Sequence, residues 1–189
     1  MSLKDKGKWD EKYREDPCPA GREPVAWLMA NAFYLTGSGK ALDLAMGEGR
    51  NAIYAAGLGY EVLGVDISEV GVAQARTLAS QKNLSMETLV VDLDDWPLPE
   101  DSFDLVMCFY FLDRRLFAPI RRAVRPGGLV LFETFTGEHQ KHSGLRREWT
   151  LEPNELLREF SGFRVLHYQE KDQEEKAVAS IVARRETHA

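Results

Sequence analysis

Between Ala41 and Phe135 the chain repeats one pattern: a short apolar run, a turn, then a stretch whose apolar residues recur at helical spacing. This alternation is what most constrains the fold, because one parallel strand can follow another only through a long crossover, usually a helix. Apolar runs at 41–46, 61–65, 86–91, 103–111 and 129–135 read as strands, and 51–58, 70–81 and 115–124 as helices between them. Ahead of them, Val25, Leu28, Met29, Ala32 and Phe33 follow helical spacing until Thr36-Gly-Ser-Gly39 ends that helix. Behind them come the turn Arg125-Pro-Gly-Gly128 before the fifth strand, a helix over 153–160, and strands at 163–168 and 177–183. The charged turn from Lys171 to Lys176 is too short for a crossover, so the last two strands form an antiparallel hairpin. The expected fold is α/β: a doubly wound, mostly parallel seven-stranded sheet with a C-terminal antiparallel hairpin, in a three-layer α/β/α sandwich. A ligand should lie beyond the carboxyl ends of the strands.

At 189 residues, with no internal repeat, the pattern reads as a single domain over 1–189, with 1–38 covering the site and 136–150 a loop over it. A net charge of −6 disfavours a phosphate backbone as partner, since that contact needs clustered cations to release counterions. Arg114, Arg115, Arg121, Arg122 and Arg125 do cluster, on spacing that reads as a solvated helix face. Membrane association is not expected, because no apolar run approaches about eighteen residues. The chain starts without the apolar stretch of a secretory signal, and Cys18 and Cys108 cannot make a disulfide framework, so a cytoplasmic location is expected.

The strongest chemical signal lies in Ala41-Leu-Asp-Leu-Ala-Met-Gly-Glu-Gly-Arg-Asn51. Gly47 and Gly49 let the backbone turn tightly toward a ligand at the start of a helix, where amide donors point outward. Asp66 ends the next strand, where a carboxylate can accept from both hydroxyls of a ribose. The same pattern satisfies the dinucleotide fingerprint, which keeps a nicotinamide oxidoreductase as an alternative. Charge separates the two. Asp43 and Glu48 would face the pyrophosphate of a dinucleotide, and at ~4 Å with an effective dielectric of ~20 each such contact costs about 4 kcal/mol before screening. The ammonium and sulfonium of S-adenosylmethionine would instead be attracted.

In these motifs the sequence resembles the class I S-adenosylmethionine-dependent methyltransferases, over nearly its whole length from Trp9 to Arg184. Asp43 to Asn51 resembles their glycine-rich first motif, with Ala45 and Met46 where Gly and Cys are frequent. Asp66 resembles their ribose-binding acid, Asp92-Leu93 their adenine-binding pair, and Arg125-Pro-Gly-Gly128 the turn before their fifth strand. The resemblance implies a Rossmann-like fold and S-adenosyl-L-methionine as cofactor. Asp92 would accept from the adenine amino group, Leu93 would offer an amide to the ring, and Ile67 would pack on its face. Asp92 could equally cap its own turn, since Asp94 and Asp95 follow. Phe109 and Tyr110 would cover the methionyl part. Trp9-Asp-Glu-Lys-Tyr13 and Gly49-Arg-Asn51 look like the tellurite-resistance and thiopurine-type enzymes for small molecules, which makes Tyr13 and Arg14 candidates for the methionyl carboxylate. The cofactor-binding set is therefore Tyr13, Arg14, Asp43, Ala45, Gly47, Gly49, Asn51, Asp66, Ile67, Asp92, Leu93 and Phe109.

Transfer from a sulfonium needs an acceptor held in line and water kept out, while a base is needed only for an acceptor that arrives protonated. The polar stretch 136–150 follows the fifth strand and should overhang the site. Within it His139 and His142 could orient or deprotonate an acceptor, and Arg146 and Arg147 could attract an anion. Glu133, near the end of the fifth strand, could reach the same pocket, although strand alternation leaves its face open. His139-x-x-His142 has no partner at a recognisable ligand spacing, so no metal is expected. Tyr110-Phe-Leu-Asp113 replaces the Asn/Asp-Pro-Pro-aromatic turn of amino-directed nucleic-acid enzymes, which argues against a base amine. The expected activity is methyl transfer to a small acceptor whose identity is open, as is the oligomeric state. The alternatives are the oxidoreductase and a cofactor-binding protein without turnover.

Overall fold

The computed structural model describes residues 3–16, 18, 19 and 21–187. It contains seven strands that belong to a seven-stranded sheet, and the chain divides into two compact units, 1–97 and 98–189.

In the first unit β1 (Lys40–Leu44), β2 (Glu61–Asp66) and β3 (Glu87–Val90) run parallel in the order β3-β2-β1. Helices α3 (Arg50–Leu58) and α4 (Glu69–Gln81) supply the crossovers. Ser68 caps α4 by accepting the Gly71 amide at 3.0 Å, which satisfies one of the free donors at a helix start. Leu42, Leu44, Val65, Ala52 and Ala75 are fully buried between these elements. The segment ahead of β1 forms α1 (Leu3–Glu15) and α2 (Ala26–Ala30). The apolar run expected to continue to residue 46 stops at Leu44, because Ala45 takes a left-handed conformation at φ 54° and breaks the pleat.

In the second unit β4 (Phe103–Phe109), β5 (Val124–Phe135), β6 (Phe163–Asp172) and β7 (Ala177–Arg185) lie in the order β4-β5-β7-β6. β4 and β5 are parallel, and β7 is antiparallel to both of its neighbours, the expected terminal hairpin. Helix α5 (Phe117–Ala123) precedes β5 and α6 (Glu155–Glu159) precedes β6. Phe117, Phe132 and Phe160 build the core, with ring centroids 5.6 to 6.4 Å apart.

Strand boundaries in this unit also differ from expectation. The turn at 125–128 is absorbed into β5 as a bulge, with Phe103 opposite Val124 and Leu105 already opposite Leu129. β4 ends two residues early because Tyr110 has φ 56°. β6 runs on to Asp172, so the hairpin turn shrinks.

The arginine cluster, expected as a solvated face, is matched residue by residue to carboxylates. Arg115 pairs with Asp113, Arg121 with Glu159, Arg122 with Glu100 and Arg125 with Asp104. Arg114 goes further. It makes a two-pronged contact to the buried Glu155 at 2.7 and 2.9 Å and donates to the carbonyls of Glu148 and Thr150. That staple holds the end of the 136–150 loop, whose base is closed by a bridge between Thr136 and Leu151.

Candidate functional site

The carboxyl ends of β1 and β2 bring three acids together. Asp66 is buried, and its carboxylate accepts the Gly47 amide at 2.8 Å and the Ser68 amide at 2.8 Å. The side chain that ends β2 thereby fixes the glycine turn that follows β1. Asp43 is 1% exposed, and its Oδ2 has no hydrogen-bond partner among the described residues. Burial pushes the Asp43 carboxyl up to about 8, reinforced by the negative Asp66 and moderated by the Ala52 amide and by Arg50. Glu48 is also buried with an orphan oxygen, Oε1, and burial raises its pKa too. Orphaned buried acceptors are costly in an apolar surround and are relieved by a cation.

Helix α1 packs onto this turn. Asp10 accepts the Ser68 hydroxyl at 2.6 Å and the Val70 amide at 3.2 Å, and Gln74 donates to the Tyr13 carbonyl at 2.8 Å. The Tyr13 ring is thereby pressed against Gly47 and Gly71: a Cβ built on Gly47 would collide with the Tyr13 hydroxyl, and one on Gly71 would lie 3.1 Å from the ring. Gly47 has φ 57°, so both its conformation and its neighbour require glycine. Burial, then the charges of Asp66 and Glu48, push the Tyr13 phenol well above its ordinary value.

Of the other residues singled out in the sequence, Arg14 is exposed on α1, Ala45 and Gly49 belong to the turn, and Ile67 is buried. Asn51 is buried and accepts the Val25 amide at 2.9 Å, tying α3 to the start of α2. Asp92 accepts the Asp94 amide at 3.0 Å, the self-capping geometry that its acidic neighbours allowed, and Leu93 beside it is buried.

In the second unit Phe109 is buried at the end of β4. His139 is buried and stacked on Phe135 at 4.1 Å. Its Nδ1 accepts the Ala177 amide at 3.4 Å, which leaves the proton of the neutral ring on Nε2. Burial, then His142 and Lys176, hold its pKa below the usual histidine value. His142 lies 5.9 Å from His139 and bonds Asp172 at 2.7 Å. Arg146 is turned elsewhere, stacked 4.0 Å over Trp149 and paired with Glu148. A groove of about 610 Å³ beside the loop is lined by residues of both signs, including Glu138, Lys141, Arg147, Glu152 and Asp172. Among the described residues no group of three or more His, Cys, Asp or Glu side chains is placed to hold a metal ion, and no helix is long and apolar enough to cross a membrane.

Sequence reasoning missed Asp10 and Lys176, whose partners lie far along the chain. Ser68 was findable, because a serine followed by Glu69 at the start of a helical pattern is an N-cap signal.

A family model described as a methyltransferase domain matches residues 41–128, the stretch that carries the glycine turn, Asp66 and Asp92. Over that stretch, just under half of its length, the chain is similar to the methyltransferase domain family. The probable S-adenosyl-L-methionine-dependent methyltransferase TehB of Haemophilus influenzae is 28% identical over 138 residues, 69% of this chain and 48% of that protein. Its crystal structure superposes with a TM-score of 0.75 at 21% identity, covering 94% of this chain and 67% of that one, a likeness of fold. Hemagglutinin 1 of Eikenella corrodens is 29% identical, over 69% of this chain and 46% of its own length. A ubiquinone biosynthesis O-methyltransferase of Thiobacillus denitrificans is 33% identical over 50% of this chain and 44% of its own. The chain thus spans about half the length of the curated relatives it matches. The cofactor of this family is S-adenosylmethionine.

Proposed function

We propose that this chain transfers the methyl group of S-adenosylmethionine to a small acceptor. The observation that carries the reading is the pair of orphaned buried acceptors, Asp43 Oδ2 and Glu48 Oε1, at the glycine turn. They suit a guest that brings positive charge, which favours their ionised forms and offsets the cost of their burial. When bound, S-adenosylmethionine supplies an activated methyl group on a positive sulfur.

The chain's own residues bind and orient. Asp43 and Glu48 would hold the methionyl ammonium. Asp66, which has acceptor capacity beyond its two amide bonds, would take the ribose hydroxyls. Ile67 would pack on the adenine, with Asp92 and Leu93 at its edge. Gly47, Gly49 and Ala45 shape the turn, Asn51 braces it, and Tyr13 and Arg14 on α1 would close over the methionyl carboxylate. Phe109 would add an apolar wall. Of the loop residues, His139 would serve an acceptor as a neutral donor through Nε2 and His142 would act at its approach, whereas Arg146 is engaged by Trp149 and Glu148. The methyltransferase names of two relatives support the reaction class. Cys18 and Cys108, both free, fit a role in the cytoplasm.

The test is parallel calorimetry with S-adenosylmethionine, S-adenosylhomocysteine and NAD. Binding of the first two and not the third is expected; binding of NAD alone would replace this reading with the oxidoreductase. Homocysteine release with an acceptor panel then separates an enzyme from a silent binder.

A further inference from the structure

A second polar cluster, distinct from the acidic turn, sits at the carboxyl end of β4 and β5. Tyr110 is the first residue after β4, and its amide donates to the Glu133 carbonyl at 2.8 Å. Its hydroxyl donates to Glu133 Oε1 at 2.8 Å and accepts from Lys176 Nζ at 2.5 Å. Lys176 Nζ is also 3.7 Å from Glu133 Oε1 and 5.0 Å from the Tyr110 ring centroid. Ser180 donates to Glu133 Oε2 at 2.7 Å. Glu133 is 3% exposed, whereas Tyr110 and Lys176 are only half-buried.

Three features set this cluster apart from an ordinary buried ion pair. The first is strain: Tyr110 keeps a left-handed backbone at φ 56°, a conformation costly to a bulky residue and clustered at functional sites. The second is direction. Ser180 occupies one oxygen of Glu133, so the other faces the phenol, and the cation sits on the phenolic oxygen itself. The third is place, since ligands of this architecture bind beyond the carboxyl ends of the strands.

A free phenol is a poor base near neutral pH, because its pKa lies near 10. Between a carboxylate that takes its proton and an ammonium that donates to its oxygen, it becomes a relay. We propose that Tyr110, Glu133 and Lys176 bind and deprotonate an acceptor bearing a phenolic hydroxyl. The acceptor proton passes to Tyr110 Oη as the Tyr110 proton passes to Glu133 Oε1, leaving the acceptor as an oxyanion beside Lys176 and Glu133 as a neutral acid. Such an oxyanion would be the nucleophile for an S-adenosylmethionine methyl group, with the electrons of the broken carbon–sulfur bond left on sulfur. Tyr110 is the catalytic residue, while Glu133 and Lys176 act through it.

The acceptor class follows from the same residues. A metalloid oxyanion arrives ionised and needs no relay, a thiol with its pKa about 8.5 needs less help than a phenol near 10, and an ammonium would be repelled by Lys176. The aromatic character comes from a row of rings: Tyr110 lies 5.2 Å from Phe135, which stacks on His139 at 4.1 Å.

This inference rests on the methyltransferase reading, so its test measures the two separately. The probe is p-nitrophenol, whose phenolate absorbs in the visible. Below the probe's own pKa, addition of the full chain should raise the phenolate absorbance saturably. Tyr110→Phe, which keeps the ring, should lower that signal about tenfold or more, equivalent to at least about one pKa unit in the bound phenol. Glu133→Gln should do the same, with thermal midpoints reporting whether each variant is folded. Absence of the signal with the unaltered chain, or an undiminished signal in folded Tyr110→Phe, would overturn the proposal. Calorimetry with S-adenosylmethionine on the same samples reports on the function separately: a phenolate signal without cofactor binding keeps the hydroxyl site and removes the methyltransferase reading.

Discussion

The Asp66 carboxylate accepts the Gly47 amide at 2.8 Å across nineteen residues of sequence, so the acid offered to a ribose also holds the turn that faces the cofactor. Binding and architecture share one side chain. Asp66→Ala removes the acceptor of two buried amides, at roughly 1–3 kcal/mol for each donor left unpaired. A stability loss of about 2–6 kcal/mol is expected in urea unfolding. Weaker S-adenosylmethionine binding should persist in the folded fraction, and unchanged affinity there would refute the ribose role.

Gly47 and Tyr13 form a testable pair. Gly47→Ala places a methyl group against the Tyr13 hydroxyl and adds a left-handed penalty on the order of 1–2 kcal/mol. Tyr13→Phe removes the oxygen in the way. The double variant should therefore be more stable than the two single losses sum to, by about 0.5–3 kcal/mol in a double-mutant cycle. Strict additivity would mean that α1 does not rest on the turn in solution.

Asp43 predicts a pH dependence with a defined sign. Its folded pKa, about 8, lies above the 3.8 of an ordinary aspartate in the unfolded chain, because burial favours the neutral acid. The stabilisation is complete below the unfolded value and is lost as pH rises toward 8, on the order of a few kcal/mol in all. The thermal midpoint of the cofactor-free protein should therefore fall as pH rises from about 3.8 toward 8, the range set by these two values. Asp43→Asn should flatten that slope. Because a bound ammonium favours the ionised acid, S-adenosylmethionine binding near pH 7 should release protons, seen as a binding heat that varies with the ionisation heat of the buffer.

Ala45 occupies a left-handed conformation without being glycine. Ala45→Gly should relieve that strain and raise stability by about 0.5–1 kcal/mol, read as a shift of a few degrees in the thermal midpoint. It also accounts for the frequency of glycine there in the resembling enzymes.

The alternation of strands and helices, and the candidate acids at the ends of β1 and β2, were legible because they rest on local periodicity and short spacing. The errors were local too. Ala45 and Tyr110 end their strands early although their types do not announce a left-handed backbone, and Arg125-Pro-Gly-Gly128 reads as a turn until β4 pairs on both sides of it. Arg114 looked like one cation among five until Glu155 and the carbonyls of Glu148 and Thr150 converged on it.

By itself, the sequence determined the α/β architecture, the glycine turn and the acidic character of its surroundings, since each follows from side-chain type and spacing within a few residues. Only the tertiary structure decided which distant groups meet. Asp10 reaches Ser68 over 58 residues and Lys176 reaches Tyr110 over 66. Such pairs carry no mark in either partner's neighbourhood. They exist because packing withdraws polar atoms from water and brings partners from distant parts of the chain within their reach.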